Sequence, residues 1–402
     1  MILEGIRVLD FTQYLAGPTV TRLMTDMGAE VIKVERAPDG DPSRGLPAVK
    51  NGRSAYFVQQ NLGKQSLCLD LRHTDTDAVV RDLVRKVDVV VENFGPGVME
   101  KRGWDFESLK PLNPRLVMAS ISAFGRNSPL SHKTGFDWIA QAFAGVMAVT
   151  GPRGGTPHPV GMGIADVSAG VHAFSAIGYA LFNRERRGHG QWIDISMIDC
   201  MFHAHEVNVQ VPQVTEGAWQ PAPCGNHHQL VCPCGVYQGP EGHVALLVIQ
   251  PQWGNLCRAM GRPDLEHDAR FAEPGERARN QSELIALIEA WMAGFPSDQA
   301  VLERLDEYRV PCGPVLNPMD AVTHPYFVGR GMIREVEDPF LGALKLPGFP
   351  LRFSGQSDYG ARGRRAPLLG EHNEAVLGEL LGYDSARIAA LAENGVVMAR
   401  AI

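Results

Sequence analysis

The sequence has no surplus of positive charge: 38 basic against 45 acidic residues leave a net charge of −7, which argues against nucleic acid and against a polybasic membrane patch. Its start, MILEGIRVLDF, lacks a basic region followed by an apolar run and a small-residue cleavage site, so no secretory signal is expected. Nor is there a long apolar run. The charge-free stretch from Val167 to Asn183 is shorter than a spanning segment and contains Ser168, His172 and Ser175, which predicts a buried helix and no membrane insertion. Seven cysteines, an odd number scattered along the chain, predict reduced thiols and a cytoplasmic protein.

Several catalytic signatures are missing as well. There is no G-x-S-x-G elbow and no Walker lysine motif, which lowers the serine-hydrolase and phosphoryl-transfer readings. VLDFTQYLAGPTVTRLMTDMGAEVIKVER has the strand-turn-helix-strand layout of a dinucleotide fold, with Glu35 where an acid could hold a ribose. Its turn carries only Gly17, followed by Pro18, instead of the three glycines that let a pyrophosphate approach the backbone. Cys224, His227, His228, Cys232 and Cys234 crowd one short stretch, yet their spacing matches no paired-knuckle zinc pattern, so no metal is expected. GPRGGTP is glycine-rich without fingerprint spacing, and reads as a turn or a mobile loop.

What is present is an alternation of strands and helices. IRVLDF, EVIKVE, SLCLDL, DVVVENF, LVMASISAF and WIDISM read as strands, with helices from about Ala16, over DTDAVVRDLVRKV, and from near Asp166 to Gly188. That order predicts an α/β protein with a large doubly wound parallel-sheet domain. A Pro-, Gln- and Gly-rich stretch then leads to a smaller α+β domain. The expected organisation is 1–205 for the first part of the large domain, 206–225 as linker, 226–325 as the small domain, and 326–402 as a return segment packing on the large domain.

Two features point to chemistry. Lys33, Arg36, Arg44, Lys64, Arg72, Lys101 and Arg102 gather in the N-terminal third, where an anionic small molecule could bind. Asp166 is the single carboxylate in GMGIADVSAG, at a helix start. Its bland reading is a cap or first-turn acid complementing the helix dipole.

Taken together, GIRVLDFTQYLAGP, MGAEVIKVER, GDPSRG, KQSLCLDL, VENFGPG, NPRLVMASISAFG, GFDWIAQAFAG, the Asp166 run, RGHGQWIDISM, VPCGPVL and RAPLLGEHNEAVL resemble the class III CoA-transferases, in order along nearly the whole chain. That group includes formyl-CoA transferase, carnitine CoA-transferase and the 2-methylacyl-CoA racemases. The resemblance implies an enzyme in which Asp166 is the covalent nucleophile, with coenzyme A as a substrate and no cofactor. A helix start would favour its ionised form, and Gly161, Gly163 and Ala165 would leave room for the acyl group and supply oxyanion donors. It also implies CoA contacts at Gln13, Ala16, Arg36, Leu69, Arg72, Asn93, Phe94, Lys101 and Arg102, with Leu69 and Phe94 flanking adenine. An interlocked homodimer is implied too.

Two departures from the family pattern make oxalate a doubtful acceptor. Oxalate-using members have a run of glycines where this chain has CGNHH, and formyl-CoA transferases place lysine and tyrosine where Thr134 and Phe136 stand. The alternative on the same fold is a racemase or epimerase using Asp166 as a base. The racemase branch has histidine in a G-H-D triplet that reads Gly135-Phe136-Asp137 here. A catalytically silent CoA- or metal-binding protein is the rival from another class.

Overall fold

The computed structural model describes residues 1–356 and 364–398. The chain divides into two compact units, one made of Met1–Val146, Val160–Glu206 and Pro325 onward, the other of Met147–Pro159 and Val207–His324.

The larger unit is built on six strands: β1 (Arg7–Asp10), β2 (Glu30–Arg36), β3 (Gln65–Leu69), β4 (Val89–Glu92), β5 (Val117–Ser122) and β6 (Trp192–Ser196). All their pairings are parallel, and the spatial order is β3-β2-β1-β4-β5-β6. Successive side chains on a strand point to opposite faces, and here both faces are apolar. Val8, Val31, Val89, Val91 and Val117 enter one core, whereas Leu9, Ile32, Val34, Val90 and Met118 enter the other. Such unbroken apolar strands are what a sheet covered on both sides requires, as the sequence predicts.

The first core is closed by α1 (Ala16–Asp26) and the later long helix, the second by α3 (Thr76–Val84); the short α2 (Ala55–Asn61) and α4 (Val98–Arg102) lie in the connections. Past β5 come α5 (Asp137–Phe143) and the long α6 (Ile164–Arg187), then α7 (Met197–His203) after β6. Along α6, Ala165, Ala169, Ala173, Ile177 and Ala180 make a small-residue stripe that joins the first core. It approaches α1 so closely that a Cβ on Gly170 would lie 2.7 Å from the Ala16 carbonyl oxygen, so only glycine fits there.

The expectation that this helix is buried needs correcting. α6 is long and apolar enough to cross a membrane by length and composition, but only one stripe of it is packed. Val171, Tyr179 and Phe182 stand exposed, as do Trp138 and Phe143 of α5 and Phe202 of α7.

The returning chain seals edge strand β3. Val376, Leu377 and Tyr383 join the second core. Asn373 Oδ1 accepts the Cys68 N–H at 2.9 Å, and Leu69 forms a bridge with Val397. Residues 357–363 and 399–402 of the expected return segment lie outside the described residues.

In the smaller unit, β7 (Cys234–Gln238), β8 (His243–Leu247) and β9 (Cys312–Pro314) form an antiparallel sheet ordered β9-β8-β7. Tyr237, Val244 and Leu246 pack with Trp253 and Leu256 of α8 (Gln250–Ala259), Leu284 and Ile288 of α9 (Gln281–Met292), and Val301 and Leu305 of α10 (Asp298–Glu307). Two segments differ from the expected organisation. Residues 147–159 go with this unit rather than with 1–205, and the stretch expected as linker holds a short helix, Gln210–Val214.

Candidate active site

Asp166 is the third residue of α6, and the helix cap, Gly163, has no side chain to offer. The capping comes from α5. Asp137 Oδ1 accepts the backbone N–H groups of Ala165 (2.7 Å) and Asp166 (3.2 Å), while its Oδ2 accepts from Gln141 Nε2 at 2.6 Å. Gln141 Oε1 in turn accepts the Val160 N–H at 2.9 Å. The bland role weighed for Asp166 therefore belongs to Asp137. Among the described residues no group donates a hydrogen bond to the Asp166 carboxylate.

Burial and the neighbouring Asp137 carboxylate push Asp166 up to about 7. This corrects the expectation that the helix start favours the ionised form: the dipole acts within the first turn, but desolvation and a like charge outweigh it. Ala165 is corrected too, because its N–H already serves Asp137 and is not a free oxyanion donor. Gly163 keeps its place: a Cβ there would fall 2.6 Å from Leu15 Cδ2 and 3.7 Å from Asp166 Oδ2. Close by, burial together with Asp166 and Asp41 pushes the Tyr56 phenol up to about 12, so it is a neutral O–H donor near neutral pH.

Behind these loops runs a buried ionic network. Lys33 Nζ donates to Thr12 O at 2.6 Å and pairs with Asp41 at 2.8 Å. Asp41 Oδ1 accepts the N–H of Ser43 and, at 3.3 Å, of Tyr14. Lys64 Nζ reaches Asp10 and Asn61 at 3.0 and 2.9 Å, and Arg44 grips Glu35 through two nitrogens. Thus Lys33, Arg44 and Lys64, three of the basic residues considered for an anion, are committed to holding the loops.

The loops after β1, β2, β3 and β4 emerge along one edge of the sheet because the strands are parallel and adjacent. The spatial order reverses between β1 and β4, where α/β sheets of this order bind ligands. At that point Gln13 and Asn93 clamp the two loops together: the Gln13 N–H donates to Asn93 Oδ1 (2.8 Å), and Asn93 Nδ2 donates to Gln13 O (2.9 Å). Arg36, Arg72 and Lys101 are exposed at this edge, and the Arg36 guanidinium and Lys101 ammonium have no acidic partner among the described residues. Arg102 lies over the Trp104 ring at 5.1 Å, and Phe94 is half-buried beside Phe11, 6.2 Å between ring centroids.

Two of the expected contacts change character. Leu69 has no exposed surface and sits in the second core, so its side chain cannot flank adenine. Ala16 is buried in the first core, leaving only its backbone for a ligand.

The residues that sequence reasoning missed are Asp137, Asp41 and Tyr56. Asp137 carries a usable signal, an acid followed four positions later by Gln141 at a helix start. Among the described residues no group of three or more His, Cys, Asp or Glu is arranged to hold a metal.

The chain belongs to CoA-transferase family III, whose pattern it matches over residues 3–373. It is 35% identical to a formyl-CoA:oxalate CoA-transferase of Streptomyces avermitilis, over 98% of this chain and 99% of that one. It is 39% identical to a succinyl-CoA:mesaconate CoA-transferase of Haloarcula hispanica, over 94% and 96%. A solved CAIB/BAIF family protein from Brucella suis superposes with a TM-score of 0.80 at 34% identity, covering 94% of this chain and 99% of that one. The protein is a class III CoA-transferase, with an acyl-CoA and a carboxylic acid as substrates.

Proposed function

We propose that the enzyme moves CoA between an acyl-CoA and a free acid through covalent intermediates on Asp166. The ionised carboxylate attacks the thioester carbonyl; the C–S bond breaks, CoA leaves as thiolate, and an acyl–aspartyl anhydride remains. The thiolate then attacks the aspartyl carbonyl, releasing the first acid and leaving an aspartyl-CoA thioester. A second carboxylate attacks that thioester and expels thiolate, which takes the new acyl group and restores Asp166. No cofactor enters the scheme, since coenzyme A is itself a substrate.

The observation that carries this reading is the carboxylate without donors. A nucleophile wrapped in hydrogen bonds would be stabilised in its resting state; Asp166 is not, because Asp137 takes the capping duty. In the scheme, Arg36, Arg72 and Lys101 hold CoA phosphates while Gln13, Asn93 and Phe94 shape the crevice.

The racemase alternative has no support at Phe136. Proton exchange on two faces of a carbon needs two bases, and the ring at the histidine position is a phenyl, packed edge-on to Tyr14 at 6.0 Å. Incubation with 2-methylacyl-CoA and a panel of acids in deuterated water separates the readings. The transferase passes CoA to an acid without α-deuterium uptake; deuterium wash-in with no CoA transfer makes the enzyme a racemase.

We also propose that a second copy of the chain covers the exposed apolar faces of α5, α6 and α7. Clustered exposed apolar side chains mark interaction surfaces, and light scattering should give twice the chain mass. The reading takes the enzyme as cytoplasmic and oxalate as a poor acceptor.

A further inference from the structure

Arg126 lies beyond the basic cluster of the N-terminal third, and the scheme above leaves it unused. It sits in the loop after β5, next to the loop after β4 that carries Asn93 and Phe94. Glu92, Ser120 and Asp194 stand in one row across β4, β5 and β6, because Glu92 pairs with Ser120 and Ser120 with Asp194 in the parallel register. The loop after β5 closes on the two ends of this row. The Asp194 carboxylate accepts the N–H groups of Arg126 (2.8 Å) and Asn127 (2.9 Å), while Arg126 Nη2 donates to both Glu92 oxygens at 3.0 Å.

The Glu92 and Arg126 side chains also grip one residue between them. Phe94 donates its N–H to Glu92 Oε2 at 2.9 Å, and its carbonyl oxygen accepts from Arg126 Nη2 at 2.8 Å. Phe94 is past the end of β4, where the ladder no longer holds the backbone. Both polar groups of its backbone are fixed instead by the ion pair, and its half-buried ring rests near Phe11. Leu69 is turned into the second core, which leaves Phe94, of the two residues expected at adenine, as the one with a surface to offer.

Stability does not account for this grip. Glu92 and Arg126 are almost wholly withdrawn from water. Burial outweighs Arg126, Ser120 and the Phe94 N–H, and leaves the Glu92 carboxyl above its usual range; in Glu35, also buried, burial is outweighed by Arg44 and Lys33. A buried pair that does not recover its desolvation is poor evidence of stabilisation. What it delivers is position.

We propose that Arg126 is a positioning residue for CoA: by locking the Phe94 backbone it sets the ring on which adenine stacks. The proposal rests on the reading that places Phe94 in the CoA crevice.

A double-mutant cycle read by calorimetric titration tests it, with CoA and with pantetheine, which lacks adenine. Phe94→Ala should weaken CoA binding about tenfold, the scale of one base stacked on an aromatic ring. Arg126→Gln should weaken it about fivefold in the wild type and not at all in Phe94→Ala, because it acts through that ring. Pantetheine should bind all four proteins equally. In turnover, Arg126→Gln should raise KM for the acyl-CoA and leave kcat unchanged. If Arg126→Gln does not fold, Arg126→Lys, which keeps a cation beside Glu92, takes its place, with a smaller loss that again vanishes in Phe94→Ala. Unchanged CoA affinity on changing Arg126, an equal loss in the Phe94→Ala background, or a matching loss for pantetheine would each overturn the proposal. Unchanged affinity in Phe94→Ala refutes the placement of adenine itself, whereas a loss there that the Arg126 variant does not share refutes only the role of Arg126.

Discussion

Asp41 and Asp166 belong to the same unit and are both withdrawn from water, yet they are driven in opposite directions. Burial pushes the Asp41 carboxyl up, but the Lys33 ammonium and the Ser43 N–H outweigh it and hold it below the usual range. Asp166 has the burial without the compensation, and Asp137 adds a like charge, so it rises to about 7. Burial alone therefore decides little. What separates a carboxylate held below its usual range from one raised above it here is the supply of donors and cations around it.

The comparison breaks most severely at Lys33. Lys33→Met leaves the Asp41 carboxylate in the interior without its cation, and loss of one partner of a buried pair typically costs about 3–5 kcal/mol. Urea unfolding should show it, whereas Arg7→Ala, which removes the half-exposed pair with Glu30, should cost at most about 1 kcal/mol. Similar losses for both would mean that the network does not hold the loops. Because the folded state lowers Asp10, Glu35 and Asp41, their contribution is present above the ordinary carboxylate range and disappears as pH falls below it. Unfolding by acid should begin there.

Arg36→Ala tests the free cations against the committed ones. A charge-assisted phosphate contact is worth about 1.5–3 kcal/mol, so CoA affinity should fall roughly ten- to a hundredfold while the melting temperature hardly moves. Unchanged affinity removes Arg36 from the site.

Asp166→Asn should stabilise the fold at pH 8 by about 4 kcal/mol and by far less at pH 4. The sign follows from the raised folded value: the cost of an ionised Asp166 is absent below the ordinary range near 3.8 and complete only above about 7. Equal stability of variant and wild type at pH 8 contradicts the assignment. A smaller shift tunes the same carboxylate. Asp137→Asn keeps one oxygen to accept the two N–H groups of the cap but removes the charge, and should move the acid limb of the pH–rate profile down by about one unit, or roughly 1.4 kcal/mol. An unmoved limb means burial alone sets the value.

The sheet was legible in the sequence because its strands are short, mostly apolar runs alternating with helical patterns; β2 over EVIKVER and α3 within DTDAVVRDLVRKV needed nothing else. The position of Asp166 at a helix start was legible too. Its protonation was not, because the pattern of one chain segment cannot show that Asp137, 29 residues earlier, takes the cap. For the same reason Lys33 and Arg36, three residues apart on one strand, read alike as basic residues. Alternation sends Lys33 into the interior against Asp41, while Arg36 stands at the exposed end of β2. Leu69 misled in the opposite way: the sheet edge near it is open to ligand, but its side chain points into the second core.

The central claim is that Asp166 becomes covalently activated. Wild-type enzyme incubated with acyl-CoA and hydroxylamine, then digested and read by mass spectrometry, should carry a hydroxamate on Asp166, and Asp166→Ala should carry none while still folding and binding CoA. An unmodified Asp166 in an enzyme that turns over, or full turnover by Asp166→Ala, would contradict the account.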